Sequence, residues 1–482
     1  MQHITKNIFI NTAFCNTLGW RLRNGKIQAE FSPGELFRME QGKEIGSLAR
    51  SVYPEGIFVH DLNSSNASAR TRELMNDPKT RVLFEATFLA GNYIARADIL
   101  VRDGKSWELI EVKSSVIPKE EFIDDMAYTT LVAHAAGFFP DTISLTLVDK
   151  NYRLGMNSEQ LFVKTDMTEP VLARFEEFEK IVGFIDSVSG TPAEPEPQLT
   201  YNCKLCGEFG ECLGKDIASH IFEIPRIQQK AVEQLIASGI TSIHEIPDNF
   251  HLTDNQKRVV GCVKSEKMQV DPVLRKKLSS IRWPAFYLDF ETMMTALPLW
   301  PDIAPYEQIP IQYSLHICEG PGKIVCRVDY LADPNRDCRR ELATRLIHDL
   351  KGDGSIITYS SFEKTTILKL SKTFPDLSGE LQSLIDRIVD LEQCIRCVSH
   401  PAFCGRTSIK VVLPVLVPDL SYEGLEIANG DVALVTFAWM AQGKMGADEM
   451  ERKQAALLEY CRLDTLAMVR LHEVLERLNI PH

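Results

Sequence analysis

The stretch Ala285-Phe-Tyr-Leu-Asp-Phe-Glu-Thr292 has the pattern of a β-strand in which two acidic residues interrupt an apolar run. Successive side chains of a strand point to opposite faces, so Asp289 and Glu291 share one face, about 6 to 7 Å apart along the strand. Unpaired carboxylates are costly to bury. Two of them on one face of an otherwise apolar strand therefore mark a candidate functional site.

Further acidic residues are expected to join this strand. Two more strands are predicted at residues 312–318 and 324–331, and a later short strand is predicted to deliver Glu363 to the start of a helix. Near the end of the chain, Tyr460 and Asp464 lie on a long predicted helix. Because they are four residues apart, they share one face of that helix.

This order of residues resembles the DnaQ-like exonuclease pattern, which is D-x-E on the first strand, an acidic residue after an aromatic one, and then Y-x-x-x-D. The resemblance implies an RNase H-like fold in which four carboxylates hold two Mg²⁺ or Mn²⁺ ions. It implies catalytic roles for these four metal ligands and for a tyrosine that helps to position the attacking water: Asp289, Glu291, Glu363, Asp464 and Tyr460. Glu363 replaces the usual aspartate, and Asp390 is the alternative.

A second acidic group lies in the first half of the chain, in the stretch ARADILVRDGKSWELIEVKSS at residues 95–115. Two strand-like runs with a turn at Asp103-Gly104 predict a β-hairpin. With a two-residue turn there, Glu111 is the diagonal neighbour of Asp98 on the same face. Alternation keeps Lys113 on that face as well. Two carboxylates and an ammonium group are thus expected to converge.

This combination suits phosphodiester chemistry. Two carboxylates can hold a Mg²⁺ or Mn²⁺ ion that lowers the pKa of a water molecule, and a lysine can stabilise the developing negative charge. The D-x12-E-x-K pattern resembles the PD-(D/E)xK nuclease superfamily, specifically its RecB-like branch, with a restriction-endonuclease-like fold. The resemblance implies catalytic roles for Asp98, Glu111 and Lys113, metal binding by both carboxylates, and a further metal ligand in Glu85.

Four cysteines form the third candidate site. Cys203, Cys206 and Cys212 make a C-x2-C-x5-C cluster directly after the Pro/Gly/Ser-rich segment 187–198, and Cys15 is the remaining early cysteine. Clustered thiolates bind zinc or iron–sulfur clusters. One early cysteine followed by this triplet resembles the iron–sulfur RecB-family nucleases. The resemblance implies a 4Fe–4S cluster on these cysteines, and structural Zn²⁺ is the alternative.

The chain of 482 residues is too long for one core. We predict an α/β protein of three parts: a RecB-like PD-(D/E)xK nuclease domain with an iron–sulfur cluster (1–215), a helical linker domain (216–282) and a DnaQ-like 3′–5′ exonuclease domain (283–482). As a whole the chain resembles an uncharacterised bacterial family with this pairing. That resemblance also rests on the IPIQYSLHI segment and on the residues from Ser408 to Pro414.

The composition of the chain bears on its binding to nucleic acid and on its cellular compartment. A formal charge of −13 argues against broad non-specific adhesion to nucleic acid, although local basic patches at 70–72 and 264–277 could guide a strand. The twelve cysteines suit a reducing compartment. The sequence shows neither a secretion signal nor a membrane-spanning apolar run, so we expect a cytoplasmic protein without a membrane partner.

The expected function is hydrolysis of nucleic acid in repair, recombination or defence. Single-stranded DNA is favoured as the substrate, and RNA remains open. An alternative is a nucleic-acid-binding or assembly protein in which only the DnaQ-like half is active. Two departures from the RecB-like pattern motivate it, because Gly46-Ser-Leu-Ala49 lacks the usual histidine and no glutamine precedes Tyr128 at the usual spacing.

Overall fold

The computed structural model describes residues 2–27, 30–61 and 63–478. The protein is mixed α/β and divides into two compact units, each with its own sheet. The first unit comprises Met1–Gln198 and Thr295–Glu307. The second unit comprises Leu199–Met294 and Gln308–His482. This division differs from the three predicted parts, because the cysteine triplet falls in the second unit and residues 216–282 do not separate from it.

The first unit is built around a six-stranded mixed sheet. Its elements in chain order are α1 Lys6–Phe14, α2 Asn16–Arg23, α3 Pro33–Ser51, β1 Ile57–Phe58, α4 Ser64–Asn76, β2 Val82–Ala90, β3 Tyr93–Asp103, β4 Ser106–Lys113, α5 Glu120–Ala135, β5 Thr142–Val148, β6 Phe162–Asp166 and α6 Thr168–Ser189, with a 3₁₀ turn at Ser158–Leu161. The strand order is β1-β2-β3-β4-β5-β6. The β1–β2 and β4–β5 pairs are parallel and the others are antiparallel.

The predicted β3–β4 hairpin is present, but its predicted register is wrong by two residues. The turn residues are Gly104 and Lys105, since Asp103 pairs with Ser106. Gly104 has a φ of 60°, which glycine adopts without strain, and this conformation suits the first position of a two-residue hairpin turn. One step beyond the last paired residues, the same register places Asp98 directly opposite Glu111 rather than diagonally from it.

A core of apolar side chains packs one face of this sheet against α1, α5 and α6. Phe9 lies at its centre, with its ring 4.9 Å from that of Phe178 and 5.3 Å from that of Tyr128. The Tyr128 hydroxyl donates to the Ile4 carbonyl at 2.5 Å. This buried tyrosine therefore ties the N-terminal segment to the sheet.

The second unit contains a five-stranded sheet in the order β10-β9-β8-β11-β12. Its elements are α7 Phe209–Cys212, α8 Gln229–Ala237, α9 Asp254–Ser265, β7 Gln269–Val270, α10 Val273–Leu278, β8 Ala285–Met293, β9 Ile309–Cys318, β10 Ile324–Leu331, α11 Arg339–Asp349, β11 Ile356–Thr358, α12 Phe362–Thr373, α13 Ser378–Ile385, β12 Ile388–Asp390, α14 Glu392–Ile395, β13 Val398–Ser399, α15 Ile409–Leu416, α16 Gly430–Ala441 and α17 Ala447–Leu478. Short 3₁₀ turns lie at Tyr201–Leu205, Ile221–Glu223, Ile243–Glu245, Pro375–Leu377 and Pro401–Phe403.

The strands β8, β9 and β10 form an antiparallel meander, and β11 and β12 add to β8 in parallel. The predicted strands at 312–318 and 324–331, the delivery of Glu363 onto α12 and the long final helix are confirmed. β8 is central, so neighbouring strands cover both of its edges, and its side chains are buried except for the half-buried Asp289. Within the described residues, no helix is long and apolar enough to cross a membrane.

Candidate metal centre

Three carboxylates converge in the second unit. Asp289 and Glu291 lie on β8 and Asp464 lies on α17, and one oxygen from each lies within 4.8 Å of the others. In the described part of the chain, this is the one group of three or more acidic, histidine or cysteine side chains that is so close. Strand alternation puts the first two side chains on one face. The final helix then supplies the third.

Glu363 adjoins this group through Asp289. It lies in the first turn of α12, immediately after β11, and only 3% of its surface is exposed. Its carboxyl group is close enough to that of Asp289 for each to affect the pKa of the other. Its Oε2 atom is buried and has no hydrogen-bond partner among the described residues. A buried oxygen without a partner is costly, so this side chain is suited to a ligand that the protein itself does not supply.

The electrostatics of the group oppose ionisation. Burial and the neighbouring carboxylates raise the pKa of Asp289 well above its usual range and that of Glu291 to about 8. Burial raises the pKa of Glu363 to about 7 and that of Asp464 to about 6. Like charges at this separation cannot all persist in a poorly solvated site. The carboxyl groups must therefore share protons or be neutralised by a cation.

Two tyrosines fix the Asp464 carboxylate. The Tyr422 hydroxyl donates to Asp464 Oδ1 at 2.5 Å, and Tyr460, one helical turn before Asp464, also donates to this side chain. Burial raises the pKa of both tyrosines, so their hydroxyls remain protonated donors. These hydrogen bonds lower the pKa of Asp464 and partly offset the effect of its burial.

Sequence reasoning assigned no role to several neighbours of the group. Lys410, on α15, carries the positive charge that lowers the pKa of Glu291 and of Asp464. Cys461 Sγ lies 3.8 Å from Asp289 Oδ2. Tyr422 precedes α16 in an irregular segment, where no periodic pattern could have indicated it.

The alternative ligand Asp390 lies at the end of β12, outside the group of three. Its Oδ1 accepts from the backbone N–H of Glu392 at 2.9 Å. Its negative charge contributes to the raised pKa of Glu363. It therefore acts on the centre through its charge rather than through a shared contact.

The carboxylates of the first unit, unlike those of the second, are paired with cationic or N–H donor groups. Asp98 Oδ2 accepts from the backbone N–H of Val112 at 2.8 Å. Lys113 Nζ donates to Glu111 Oε1 at 2.7 Å and to Asp125 Oδ2 at 2.5 Å. Lys6 Nζ lies 2.8 Å from the same Asp125 oxygen. Each carboxylate here has a positively charged or N–H donor partner.

The pKa shifts reflect this pairing. Burial and the Glu111 charge raise the pKa of Asp98 to about 8. Burial alone would lower the pKa of Lys113, but its two carboxylate partners outweigh burial and raise it. Glu85 lies in register with Asp98, has a φ of 54° and faces Arg50, whose Nη1 lies 3.7 Å from its Oε1. Within the described residues, these carboxylates do not form a group of three within 4.8 Å.

A cavity of about 340 Å³ opens beside this first centre. Asp98 and Glu111 line it together with Lys6, Arg96 and Tyr128. Positive and negative side chains thus face the same space. A phosphate-containing ligand could reach the carboxylates from there while the basic side chains hold its charge.

The predicted cluster cysteines are all half-buried. Cys203 lies in the 3₁₀ turn Tyr201–Leu205, Cys206 ends that turn and Cys212 ends α7. The turn is closed by a hydrogen bond from the Cys206 N–H to the Cys203 carbonyl at 3.2 Å. Cys15, in the first unit, separates α1 from α2. A metal cofactor on these cysteines stays a prediction.

Comparison with known proteins adds one family and two relatives. Residues 286–408 match a family model described as a domain of unknown function, DUF2779. The chain is similar to Uncharacterized protein MG366 homolog of Mycoplasma pneumoniae, with 26% identity over 278 residues, which cover 53% of this chain and 40% of the relative. It is also similar to Uncharacterized protein MG366 of Mycoplasma genitalium, with 23% identity over 206 residues, or 38% of this chain and 31% of the relative.

The alignments thus span less than half the length of these curated relatives. The family match includes β8 with Asp289 and Glu291, and also Glu363, but it ends before Asp464. The carboxylate that completes the group of three therefore comes from a part of the chain that the family model does not cover.

Proposed function

We propose that this protein is a metal-dependent nuclease whose second unit has an RNase H-like, DnaQ-like fold and hydrolyses phosphodiester bonds from the 3′ end of a strand. The observation that carries the proposal is the convergence of Asp289, Glu291 and Asp464 within 4.8 Å. Beside them lies the buried Glu363 Oε2 atom, which has no hydrogen-bond partner among the described residues. The antiparallel meander extended by two parallel strands supports the fold assignment.

The donor set fits Mg²⁺ or Mn²⁺, because hard divalent cations prefer carboxylate oxygens. Asp289, Glu291, Glu363 and Asp464 would hold the ions. When bound, such ions lower the pKa of a water molecule and polarise the phosphodiester. The protein's own contribution is positional, since the Tyr422 and Tyr460 hydroxyls hold the Asp464 carboxylate in place.

Two further side chains fit roles on the substrate. Tyr460 adjoins Asp464 and can help to orient the attacking water, as the DnaQ-like resemblance implies. Lys410 supplies a positive charge close to the carboxylates. An ammonium group in this position stabilises negative charge that develops on the phosphate.

For the first unit, we propose a RecB-like PD-(D/E)xK fold with Asp98 and Glu111 as metal ligands and Glu85 as a further ligand. Lys113 would orient water or neutralise the phosphate. The cavity that Asp98 and Glu111 share with Lys6 and Arg96 supports the assignment of these two carboxylates. For Cys203, Cys206 and Cys212, with Cys15 as the fourth ligand expected from the sequence, we propose a 4Fe–4S cluster, with structural Zn²⁺ as the alternative.

A second candidate function is a nucleic-acid-binding protein in which only the second unit cuts. One observation favours it: Lys113 already contacts two carboxylates, at 2.7 and 2.5 Å. An ammonium group held in this way must leave a partner before it can assist a reaction. The first unit would then contribute binding rather than cleavage.

The test uses purified protein, Mn²⁺ and 5′-labelled single strands of DNA and of RNA. We expect wild-type protein to shorten the strands progressively and EDTA to stop the reaction. Asp289→Asn should abolish progressive shortening from the 3′ end, whereas Asp98→Asn should leave that shortening intact. Loss of all cutting in Asp289→Asn would favour the second candidate function. Undiminished progressive shortening by Asp289→Asn, or such shortening in EDTA, would refute the proposal for the second unit.

A further inference from the structure

A cavity of about 510 Å³ in the second unit gathers positive charge in a protein whose formal charge is −13. Four arginines line it: Arg226, Arg258, Arg396 and Arg406. No aspartate or glutamate is among the described residues that line the cavity. Arginine is almost always charged, so this cavity presents a concentrated positive potential.

Three of these arginines lack an acidic partner within the described residues. Arg258 Nη2 donates to the amide oxygen of Asn255 at 2.9 Å, and Arg406 Nε donates to the Phe403 carbonyl at 3.4 Å. Arg226 makes no ion pair with any residue that the structure describes. Only Arg396 has a carboxylate partner, with its Nη2 3.0 Å from Glu392 Oε1. The guanidinium groups therefore retain most of their capacity to bind an anion.

Another arginine-lined depression in the same unit shows the contrast. Arg336, Arg340 and Arg345 line it with Asp337, Glu341 and Asp349. All three of these arginines form ion pairs with acidic side chains. The arginines of this depression are thus neutralised by acidic neighbours, whereas three of those in the first cavity are not.

The backbone brings the walls of the cavity close together. Gly405 has a φ of 73°, and a Cβ atom at this position would lie 2.5 Å from Pro225 Cγ. Arg226, next to that proline, has a φ of 50°, which costs a residue with a side chain about 1 to 3 kcal/mol. Such conformations persist where surrounding structure imposes them and are frequent at ligand-binding sites.

Part of the cavity wall lies close in sequence to a residue that acts on the acidic centre. Thr407 and Ser408 line the cavity, and the Tyr359 hydroxyl donates to the Thr407 carbonyl. Lys410, two residues beyond Ser408, is the cation whose charge acts on Glu291 and Asp464. One short segment of the chain therefore contributes both to the cavity wall and to the charge around the carboxylates.

We propose that this arginine cavity binds the phosphate backbone of the single strand whose end is cut at the acidic centre, an inference that rests on the proposed nuclease function. Guanidinium groups bind phosphate oxygens in pairs of parallel hydrogen bonds. The cavity volume lies within the range that encloses a small ligand, so it admits part of one strand rather than a duplex. His400, which also lines it, offers a ring on which a base can stack.

The test measures binding of a fluorescent single-stranded oligonucleotide by anisotropy in EDTA, so that cutting cannot interfere. We compare wild-type protein with Arg258→Gln/Arg406→Gln and with the control Arg340→Gln/Arg345→Gln, which removes the same charge from the paired depression. The cavity variant should bind at least about 10-fold more weakly at low salt. Its slope of log affinity against log salt should be shallower by about 1.4, since each lost phosphate contact removes about 0.7. The control should bind as wild type.

Several outcomes would overturn the inference: no binding by wild-type protein, equal binding by the cavity variant, equal weakening by the control, or tighter binding of a duplex. Displacement of the strand by an equal concentration of inorganic phosphate would also overturn it, because it would identify a site for free phosphate. All the substituted arginines are exposed, so matching melting temperatures should exclude misfolding.

The binding assay and the cutting assay fail independently. Arginine-dependent binding without any Mn²⁺-dependent cutting would refute the nuclease proposal and leave an arginine site for a single strand. Cutting that does not depend on the arginines would refute the site and leave the nuclease proposal intact.

Discussion

Both acidic centres place two carboxylates on one face of a β-structure, but they differ in how the negative charge is neutralised. In the first unit, Asp98 and Glu111 face each other across a hairpin, and Lys113 donates to Glu111 at 2.7 Å. In the second unit, Asp289, Glu291 and Asp464 converge within 4.8 Å. The groups that stabilise their negative charge are tyrosine hydroxyls and the exposed Lys410. The first centre carries its own counter-charge, whereas the second leaves its charge to be neutralised by something else.

This difference distinguishes a structural ion pair from a metal site. A carboxylate with an internal cation is stabilised without a ligand, and removal of the cation leaves an uncompensated buried charge. A cluster of carboxylates without such a cation is destabilising in the absence of a ligand, and removal of one member relieves repulsion. The two centres should therefore respond in opposite directions to the loss of a charge.

The largest expected effect is on cutting. Asp464→Asn should lower the rate by more than about 100-fold, because even partners outside the ligand shell are often worth 10- to 100-fold. The same substitution should raise the melting temperature in EDTA, since it removes a repulsive charge. Asp390→Asn is the matched control, because Asp390 lies on β12 of the same sheet but outside the group of three. A rate loss with Asp390→Asn as large as that with Asp464→Asn would place the ligand set elsewhere.

Stability should distinguish the lysines of the two centres. Lys113→Ala should lower the free energy of unfolding by about 3 kcal/mol, because Glu111 and Asp125 lose a largely buried partner. Lys410→Ala should change it by less than about 0.5 kcal/mol, because this side chain is exposed. Urea titrations of both variants measure these values. Similar losses in the two variants would remove the contrast between the centres.

The tyrosine at the second centre should have a smaller effect on activity. Tyr460→Phe removes a hydroxyl that donates to Asp464 and should lower the cutting rate by about 10-fold, with little change in fold. Raised Mn²⁺ should not restore the lost rate if the hydroxyl positions water. Full recovery at high Mn²⁺ would instead show that Tyr460 acts only on metal affinity.

The smallest effect concerns pH. The folded-state pKa values of Glu291 and Glu363, about 8 and about 7, lie above the ordinary glutamate value of 4.5. The folded protein therefore holds protons that the unfolded chain releases, and stability is lost as pH rises from about 4.5 through 8. In EDTA, the melting temperature should fall by a few degrees over this window. Saturating Mg²⁺ should reduce that fall, and so should Glu291→Gln.

The sequence correctly predicted which side chains share a face wherever that depends only on the periodicity of a strand or a helix. Alternation along β8 correctly predicted that Asp289 and Glu291 lie together, and the spacing of Tyr460 and Asp464 correctly predicted a shared helix face. The hairpin register could not be predicted, because Asp103-Gly104 and Gly104-Lys105 are both plausible turns. In the structure, Gly104 has a positive φ and occupies the first turn position, so the turn is Gly104-Lys105. The register therefore differs by two residues from the predicted one.

Other features depend on tertiary structure that no local pattern encodes. Tyr422 contacts Asp464 from an irregular segment, 42 positions earlier in the sequence. The arginine cavity was missed for a similar reason, because Arg226 and Arg406 lie far apart in the chain and in neither of the predicted basic patches. Clusters of like charges in sequence predict surface patches, whereas this cavity is assembled by the fold.

Calorimetric titration of Mn²⁺ is the most direct test of the claim that the second unit holds divalent cations. The titration uses metal-free Asp98→Asn protein, in which the first centre is impaired, and the double variant Asp98→Asn/Asp289→Asn. We predict clear Mn²⁺ binding by the single variant and loss of that binding in the double variant. Equal Mn²⁺ binding by the two proteins would contradict the account, because the ion would then not depend on the carboxylates of β8.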